Sequence, residues 1–240
     1  MSKSIAKQES KELTQQHTPR GFDGFTSEDL IVPRLNLLQA LSKAVTDGIG
    51  KMGQFQDSLT QEILGDSVEV VLLGMKNGAV YFKPGEGMVC KTMDGVTSIN
   101  GDTCAKCPYN EYWKAWKEDG SPPACSASKE FITITRGTVK SEESRPLMVT
   151  FMKTGFKTGK KLATIARLAN RDIYFRSYII TSEKSKNDKG TFCKMNVNIG
   201  TPLSPEEYTQ AERWYEILNT SKITVAGDED TFDTKSMDEV

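Results

Sequence analysis

Two stretches decide the fold: Arg171-Asp-Ile-Tyr-Phe-Arg-Ser-Tyr-Ile-Ile-Thr181 and Thr191-Phe-Cys-Lys-Met-Asn-Val-Asn-Ile199. Both alternate side-chain character at a period of two, the mark of a strand with two unlike faces. In the first, Ile173, Phe175 and Ile179 share one face, with Tyr174, Arg176 and Tyr178 on the other. In the second, Cys193, Met195, Val197 and Ile199 point one way and Phe192, Lys194, Asn196 and Asn198 the other.

Upstream, Lys160–Asn170 has helical spacing, with Leu162, Ile165, Ala166 and Ala169 on one side. Phe131–Val139 and Leu147–Met152 read as strands separated by a polar loop. Val68–Leu73 is a short, β-branched run suited to a buried strand, and Asn77-Gly78 signals a tight turn before a returning strand at Ala79–Phe82. Pro33 makes Leu30–Leu38 an extended segment, and Gly48–Gly53 reads as a turn. Downstream, Ser204-Pro-Glu-Glu207 is a helix start: Ser caps, Pro takes the first helical position and Glu207 closes a capping box. That helix is expected to run to about Leu218, packing through Tyr208, Ala211, Tyr215 and Leu218.

The expected class is therefore mainly β with some helix. Short strands around one intervening helix suggest an antiparallel barrel, closed or partly open, with a sandwich as the other solution. Residues 1–24 are polar and read as a flexible arm, 25–218 as the core, 88–128 as a Cys-rich insertion, and 219–240 as a disordered acidic tail. The 240 residues are 37% apolar, enough for a core, and no run approaches the ~18 apolar residues of a membrane span. The polar start lacks the apolar stretch of a secretory signal, so a cytoplasmic location is expected.

Net charge is only -1, but its distribution is uneven. Residues 129–200 carry 15 basic and 6 acidic side chains, a balance of +9, whereas 201–240 carry 3 and 10, a balance of -7. A basic block beside an acidic end fits a protein that binds a polyanion and holds a competitor for it.

Cys90, Cys104, Cys107 and Cys125 form a C-x13-C-x2-C-x17-C array. A two-residue-spaced pair such as Cys104-Ala-Lys-Cys107 can aim both thiolates at one ion. Cys90 and Cys125 would complete a tetrahedral, structural Zn2+ site with no open position. A redox pair and unligated core cysteines are the other readings. Cys193 reads as a packed core residue, and Tyr112 and Trp116 as packing within the Cys-rich module.

A catalytic role is not expected. His17 is the only histidine and lies in the polar arm, which removes Ser/His/Asp and Cys/His centres. Lys153-Thr-Gly-Phe-Lys-Thr-Gly-Lys-Lys161 shares the composition of a phosphate loop but not its spacing. Its chemistry points instead to polyanion binding. Lys153, Lys157, Lys160 and Lys161 surround Phe156, and the strands that follow add Tyr174, Arg176, Tyr178, Phe192 and Lys194. Cations for phosphates interleaved with rings for bases are what a sequence-tolerant single-strand binder needs. In the tail, Asp228, Glu229, Asp230, Asp233, Asp238 and Glu239 make a polyanion, and Phe232 offers an apolar anchor for a partner.

Together with these features, Asp29-Leu-Ile-Val-Pro-Arg-Leu-Asn-Leu-Leu38 and Gly101-Asp-Thr-Cys-Ala-Lys-Cys-Pro108 give a chain that resembles bacteriophage single-stranded DNA-binding proteins over most of residues 25–240. The resemblance implies an OB-like antiparallel barrel with an inserted zinc-binding module. It implies protection of single-stranded DNA during replication or recombination, with the tail recruiting replication proteins. The alternative expectation is a zinc-containing phage regulator that binds a host polymerase or nuclease.

Overall fold

The computed structural model describes residues 32–220, apart from 84–85, 93, 108–123, 142–143 and 189. The expected arm, His17, the aromatic group Tyr109, Tyr112, Trp113 and Trp116, and the tail residues Asp228, Glu229, Asp230, Phe232, Asp233, Asp238 and Glu239 lie outside the described residues.

The fold is mainly antiparallel β. A small sheet contains β1 (Leu35–Leu37), β2 (Phe55–Asp57) and β3 (Ile63–Gly65), with the short helix α1 (Lys43–Thr46) between β1 and β2. The main sheet contains β4 (Ser67–Lys83), β5 (Gly87–Thr92), β6 (Cys125–Thr135), β7 (Pro146–Met152), β8 (Arg176–Asn187) and β9 (Gly190–Pro202). Its pairing order is β7-β6-β4-β8-β9, so β7 and β9 end the sheet and the barrel is not closed. Helix α2 (Phe156–Leu168) follows β7, and helix α3 (Pro205–Thr220) follows β9.

The 17-residue β4 is the spine. One edge pairs with β6; the other is shared by β8, opposite Ser67–Val71, and β5, opposite Ala79–Lys83. A register shift between Leu72 and Gly74 marks a bulge, the usual device for bending so long a strand. The expected hairpin at Asn77-Gly78 does not form, and the strand runs straight through it. The Gly78 site is closely packed instead of turned: a Cβ there would lie 2.7 Å from Ser128 Oγ and 3.0 Å from Thr92 O. Neighbouring Asn77 accepts a hydrogen bond from Lys129.

Both faces of the main sheet are covered. One core joins Val68, Val70, Leu72, Phe131, Phe151, Tyr178 and Ile180 to Leu162 and Ala166 of α2 and to Leu35 and Phe55 of the small sheet. The other joins Val71, Leu73, Ile134, Met148 and Tyr174 to Ala211 of α3. Double coverage corrects the expectation that Tyr174 and Tyr178 lie on an open face. Alternation finds the two faces of a strand but cannot say that both are buried. Register sets Tyr178 opposite Val70, inside the first core. Strand β8 also begins at Arg176, because residues 171–175 form turns that tuck Tyr174 under Tyr208 and Tyr215.

Helix α3 starts as its motif demands. Glu207 N donates to Ser204 Oγ (3.3 Å), and Ser204 N donates to Glu207 Oε2 (2.7 Å). Helix α2 begins at Phe156, earlier than expected, because Lys153–Gly155 winds into a 3-10 turn that leads straight into it. The expected Gly-rich loop is thus a turn and the first helical turn. Gly159 is what lets α2 approach the sheet. A Cβ there would lie 2.7 Å from Phe151 Cβ and 2.9 Å from Lys129 Cβ, two atoms fixed to backbone. Gly159→Ala should gain about 1 kcal/mol of helix propensity. The overpacking cost of roughly 1–3 kcal/mol outweighs that gain. Urea unfolding is expected to show net destabilisation, and a stabilised variant would contradict this account of the packing.

Candidate functional site: a basic cleft and a cysteine neighbourhood

A cleft of about 1020 Å3 opens between the small sheet and the main sheet. Its walls come from β1, the segment around α1, the end of β7, the Thr154-Gly155 turn and Cys193–Met195 of β9. Leu37, Leu41, Phe151, Met152 and Met195 make it apolar; Asn36, Gln56, Thr150, Lys43 and Lys194 add polar groups. Arg34, at 6% exposure, contributes a buried guanidinium to the lining. Gln39 fastens the small sheet's side of the cleft to β9. Its Nε2 donates to Cys193 O (2.9 Å) and its Oε1 accepts from Cys193 N (2.8 Å), imitating a strand partner. Cys193 is buried beneath this clamp.

The structure sorts the ten candidate nucleic-acid-binding residues into three groups. Lys194 lines the cleft, within 3.4 Å of Glu183 across the hairpin, and half-buried Phe192 sits two residues before it. Lys153 belongs to the turn that forms the lip, and Phe156, Lys157, Lys160 and Lys161 follow on the first turns of α2. The remaining three are structural. Tyr178 is fully buried and Tyr174 is 6% exposed, so neither ring can stack on a base. Arg176 is half-buried, donates to Gly200 O (2.8 Å) and lies over the Phe175 ring. Lys160 Nζ lies 5.0 Å from the Phe156 ring centre, covering the remaining helical ring.

Sequence reading missed Arg34, Lys43, Lys129 and Arg167. Arg167 was legible, seven residues from Lys160 and so on the same side of a helix. Arg34 and Lys43 gained meaning only when β1 folded against β9. Lys129 of β6 sits close enough to α2 that its ammonium is pushed below the usual lysine range, by burial first and by the like charge of Lys160 second.

The four candidate cysteine ligands come from three elements, β5, β6 and one 3-10 turn, and meet at one end of the main sheet. Cys90 on β5 and Cys125 on β6 both sit opposite Tyr81, so they flank it on one face of the sheet. The chain after β5 folds back through bridges Thr92–Ser98 and Thr97–Thr103. Cys104 N then donates to Val96 O (2.7 Å), and Cys107 N closes a 3-10 turn onto Cys104 O (3.1 Å). The expected irregular insertion is thus partly regular, being bounded by β5 and β6. All four thiols are half-buried. Burial raises Cys90, opposed by a hydrogen bond from Ser98, and Cys107 and Cys104 raise it further. Cys125 is pushed up to about 11, by burial first and then by the other three thiols. Among the described residues no group of three or more His, Cys, Asp or Glu side chains stands at metal-coordinating spacing. The thiols share a neighbourhood without forming a coordination sphere.

These features define an antiparallel β protein with a basic helix beside a mixed cleft. The chain belongs to the Pam3 phage gp34-like protein family, whose model it matches over residues 4–224. No curated protein and no solved structure matches the chain. The phage origin expected from the sequence therefore stands. Among the described residues no helix is long and apolar enough to cross a membrane.

Proposed function

We propose that this phage protein binds single-stranded DNA without strong sequence preference, holding the strand in the cleft. The observation that carries the reading is the joining of Lys194 and the Thr154-Gly155 lip around one cleft that also holds Lys43 and Arg34. Bases would pack on Leu37, Leu41, Met152 and Met195, and phosphates would face Lys43, Lys153 and Lys194. With Tyr174 and Tyr178 buried, less stacking surface is left, so affinity rests more on phosphate contacts than the sequence implied. The bent β4, shared by β5 and β8, is on this reading the spine of an OB-like, partly open barrel.

Zinc is part of the proposal as a structural ion held by Cys90, Cys104, Cys107 and Cys125. Bound there, it would hold the thiols as thiolates and tie the β5–β6 connection together. Support comes from packing: among the described residues, none of the hydrophobic ones between Val80 and Ala127 is buried. The described part of the segment shows no apolar core, and a bound ion is the organiser proposed for it. A closed four-thiolate site offers no position for substrate, in keeping with a binding protein rather than an enzyme. The acidic tail is proposed to occupy the basic surface when DNA is absent and to recruit replication proteins when it is filled.

Titrating labelled oligo-dT and a blunt duplex against the full chain, and against the chain ended at Gly227, tests the reading. Affinity for oligo-dT is expected to exceed that for the duplex and to fall with salt by roughly 0.7 log unit per log unit of salt for each phosphate neutralised. Removing the tail is expected to strengthen binding at low salt. A chain that ignores oligo-dT at low salt, with or without the tail, would leave the zinc-containing regulator of a host polymerase or nuclease as the better account.

A further inference from the structure

Helix α2 carries a charge pattern found nowhere else among the described residues. From Lys153 to Arg171 the chain holds Lys153, Lys157, Lys160, Lys161, Arg167 and Arg171 and no acidic residue. Gly159, Leu162 and Ala166 turn inward, while Lys157, Lys160, Lys161, Thr164 and Arg167 are exposed. Several cations on other elements are balanced: Arg136 meets Glu69 and Glu207, Lys140 meets Glu206, Arg145 meets Asp57, and Lys194 meets Glu183. Among the described residues, none of the four α2 cations is in an ion pair. Like charges one helical turn apart repel, and a bound polyanion relieves that repulsion.

We propose that the exposed face of α2 grips the phosphate backbone of duplex DNA, so that the protein seats a junction between single strand and duplex. This rests on the cleft being the single-strand site. The α2 face is convex and about 20 Å long. Its one ring, Phe156, is covered by Lys160. That leaves little ring surface for unpaired bases, and Lys, Arg and Thr suit phosphates whose bases are hidden in a duplex. A lipid surface would need the helix's apolar side, but Leu162 and Ala166 are built into the core. The Lys153–Gly155 turn leads into α2 and forms the lip of the cleft, so a strand leaving the cleft and an adjoining duplex would meet there.

The test compares three probes at two salt concentrations: oligo-dT, a blunt DNA hairpin, and the same hairpin with a single-stranded dT tail. The proteins are the wild-type chain and the K157Q/K160Q/K161Q/R167Q variant, whose changes are all at the surface. The wild type is expected to favour the tailed hairpin over either arm alone. In the variant the tailed-hairpin advantage disappears and its salt slope falls by roughly 3–4, at ~0.9 for each phosphate left without its cation. Oligo-dT affinity should change by less than about threefold, as the steering charge removed is screened beyond the Debye length. Equal losses on oligo-dT and the tailed hairpin would place the single strand on α2 and overturn the proposal. So would a wild type with no preference for the tailed hairpin, a result that leaves the cleft reading intact. A wild type that holds the blunt hairpin through α2 but ignores oligo-dT would sink the cleft and the junction together.

Discussion

On the zinc proposal, a chelator, or replacing Cys104 and Cys107 with serine, is expected to unfold the connection between β5 and β6 and leave the α3 side of the sheet in place. The size of the effect follows from what else could hold the segment. Val89, Val96 and Ile99 are exposed, and among the described residues from 87 to 107 the buried ones are Lys91, Thr92 and Ser98. Burial of apolar surface at ~25 cal/mol per Å2 therefore contributes little here. The bridges Thr92–Ser98 and Thr97–Thr103 add a few backbone hydrogen bonds, each with a net worth of about 1 kcal/mol. Against this, structural zinc in small domains supplies roughly 10–16 kcal/mol of apparent binding energy at neutral pH. Metal analysis should give one zinc per chain. After chelation, hydrogen exchange at residues 87–92 and 94–107 should approach that of unfolded chain, while β4 opposite β8 keeps its protection. A metal-free chain with unchanged exchange would remove zinc from the account.

How much was legible differed between fold and site. Local signals survived: the Ser204–Glu207 capping box, the helix from Pro205, the strands around Phe131 and Leu147, and the inward set Cys193, Met195 and Val197 all rest on rules that act within a few residues. Asn77-Gly78 failed because a turn signal competes with pairing. Both residues pair with β6, β5 takes up the other edge of β4 from Ala79 onward, and Gly78 serves a tight contact with Ser128 instead. Tyr174 and Tyr178 failed because burial on two faces is a property of layers, which one strand's alternation does not carry. The cleft was invisible because Arg34 and Cys193 are 159 positions apart and meet only when the small sheet docks. The cysteine array was readable as a spacing, and the structure adds that Cys90 and Cys125 flank Tyr81 across two ladders.

Replacing Arg136 with methionine is expected to cost about 2 kcal/mol, between the cost for an exposed ion pair and that for a fully buried one, since the Arg136 side chain keeps 21% and Glu207 14% of its exposure. That corresponds to a fall in Tm of roughly 4–8 °C for a chain of this size. Arg136 sits after β6 and clamps α3 to the sheet. Its Nε and Nη2 donate to the two carboxylate oxygens of Glu207 (3.1 Å each), and its Nη1 donates to Glu69 Oε1 (2.9 Å). A two-pronged guanidinium–carboxylate contact is the strong form of such a pair. The hydrogen bond from Arg136 holds the Glu207 carboxyl down at about 2, with Ser204 adding to it. Glu69 is also lowered, by Ser177 first and then by Arg136. A carboxyl whose folded pKa lies below its unfolded value stabilises the fold above the unfolded value and loses that contribution as pH falls through the folded one. The window therefore runs from about pH 4.5 down to about 2. Urea titrations should show a wide gap between wild type and R136M at pH 7 that narrows steadily below pH 4. An equal gap at pH 7 and pH 2.5 would mean that Arg136 acts through packing and not through charge. Since α3 covers the face opposite α2, R136M should lower stability while leaving the salt dependence of oligonucleotide binding unchanged. Bracing and binding are thus separable, and a variant that weakened both in step would show that the cleft depends on the clamp behind it.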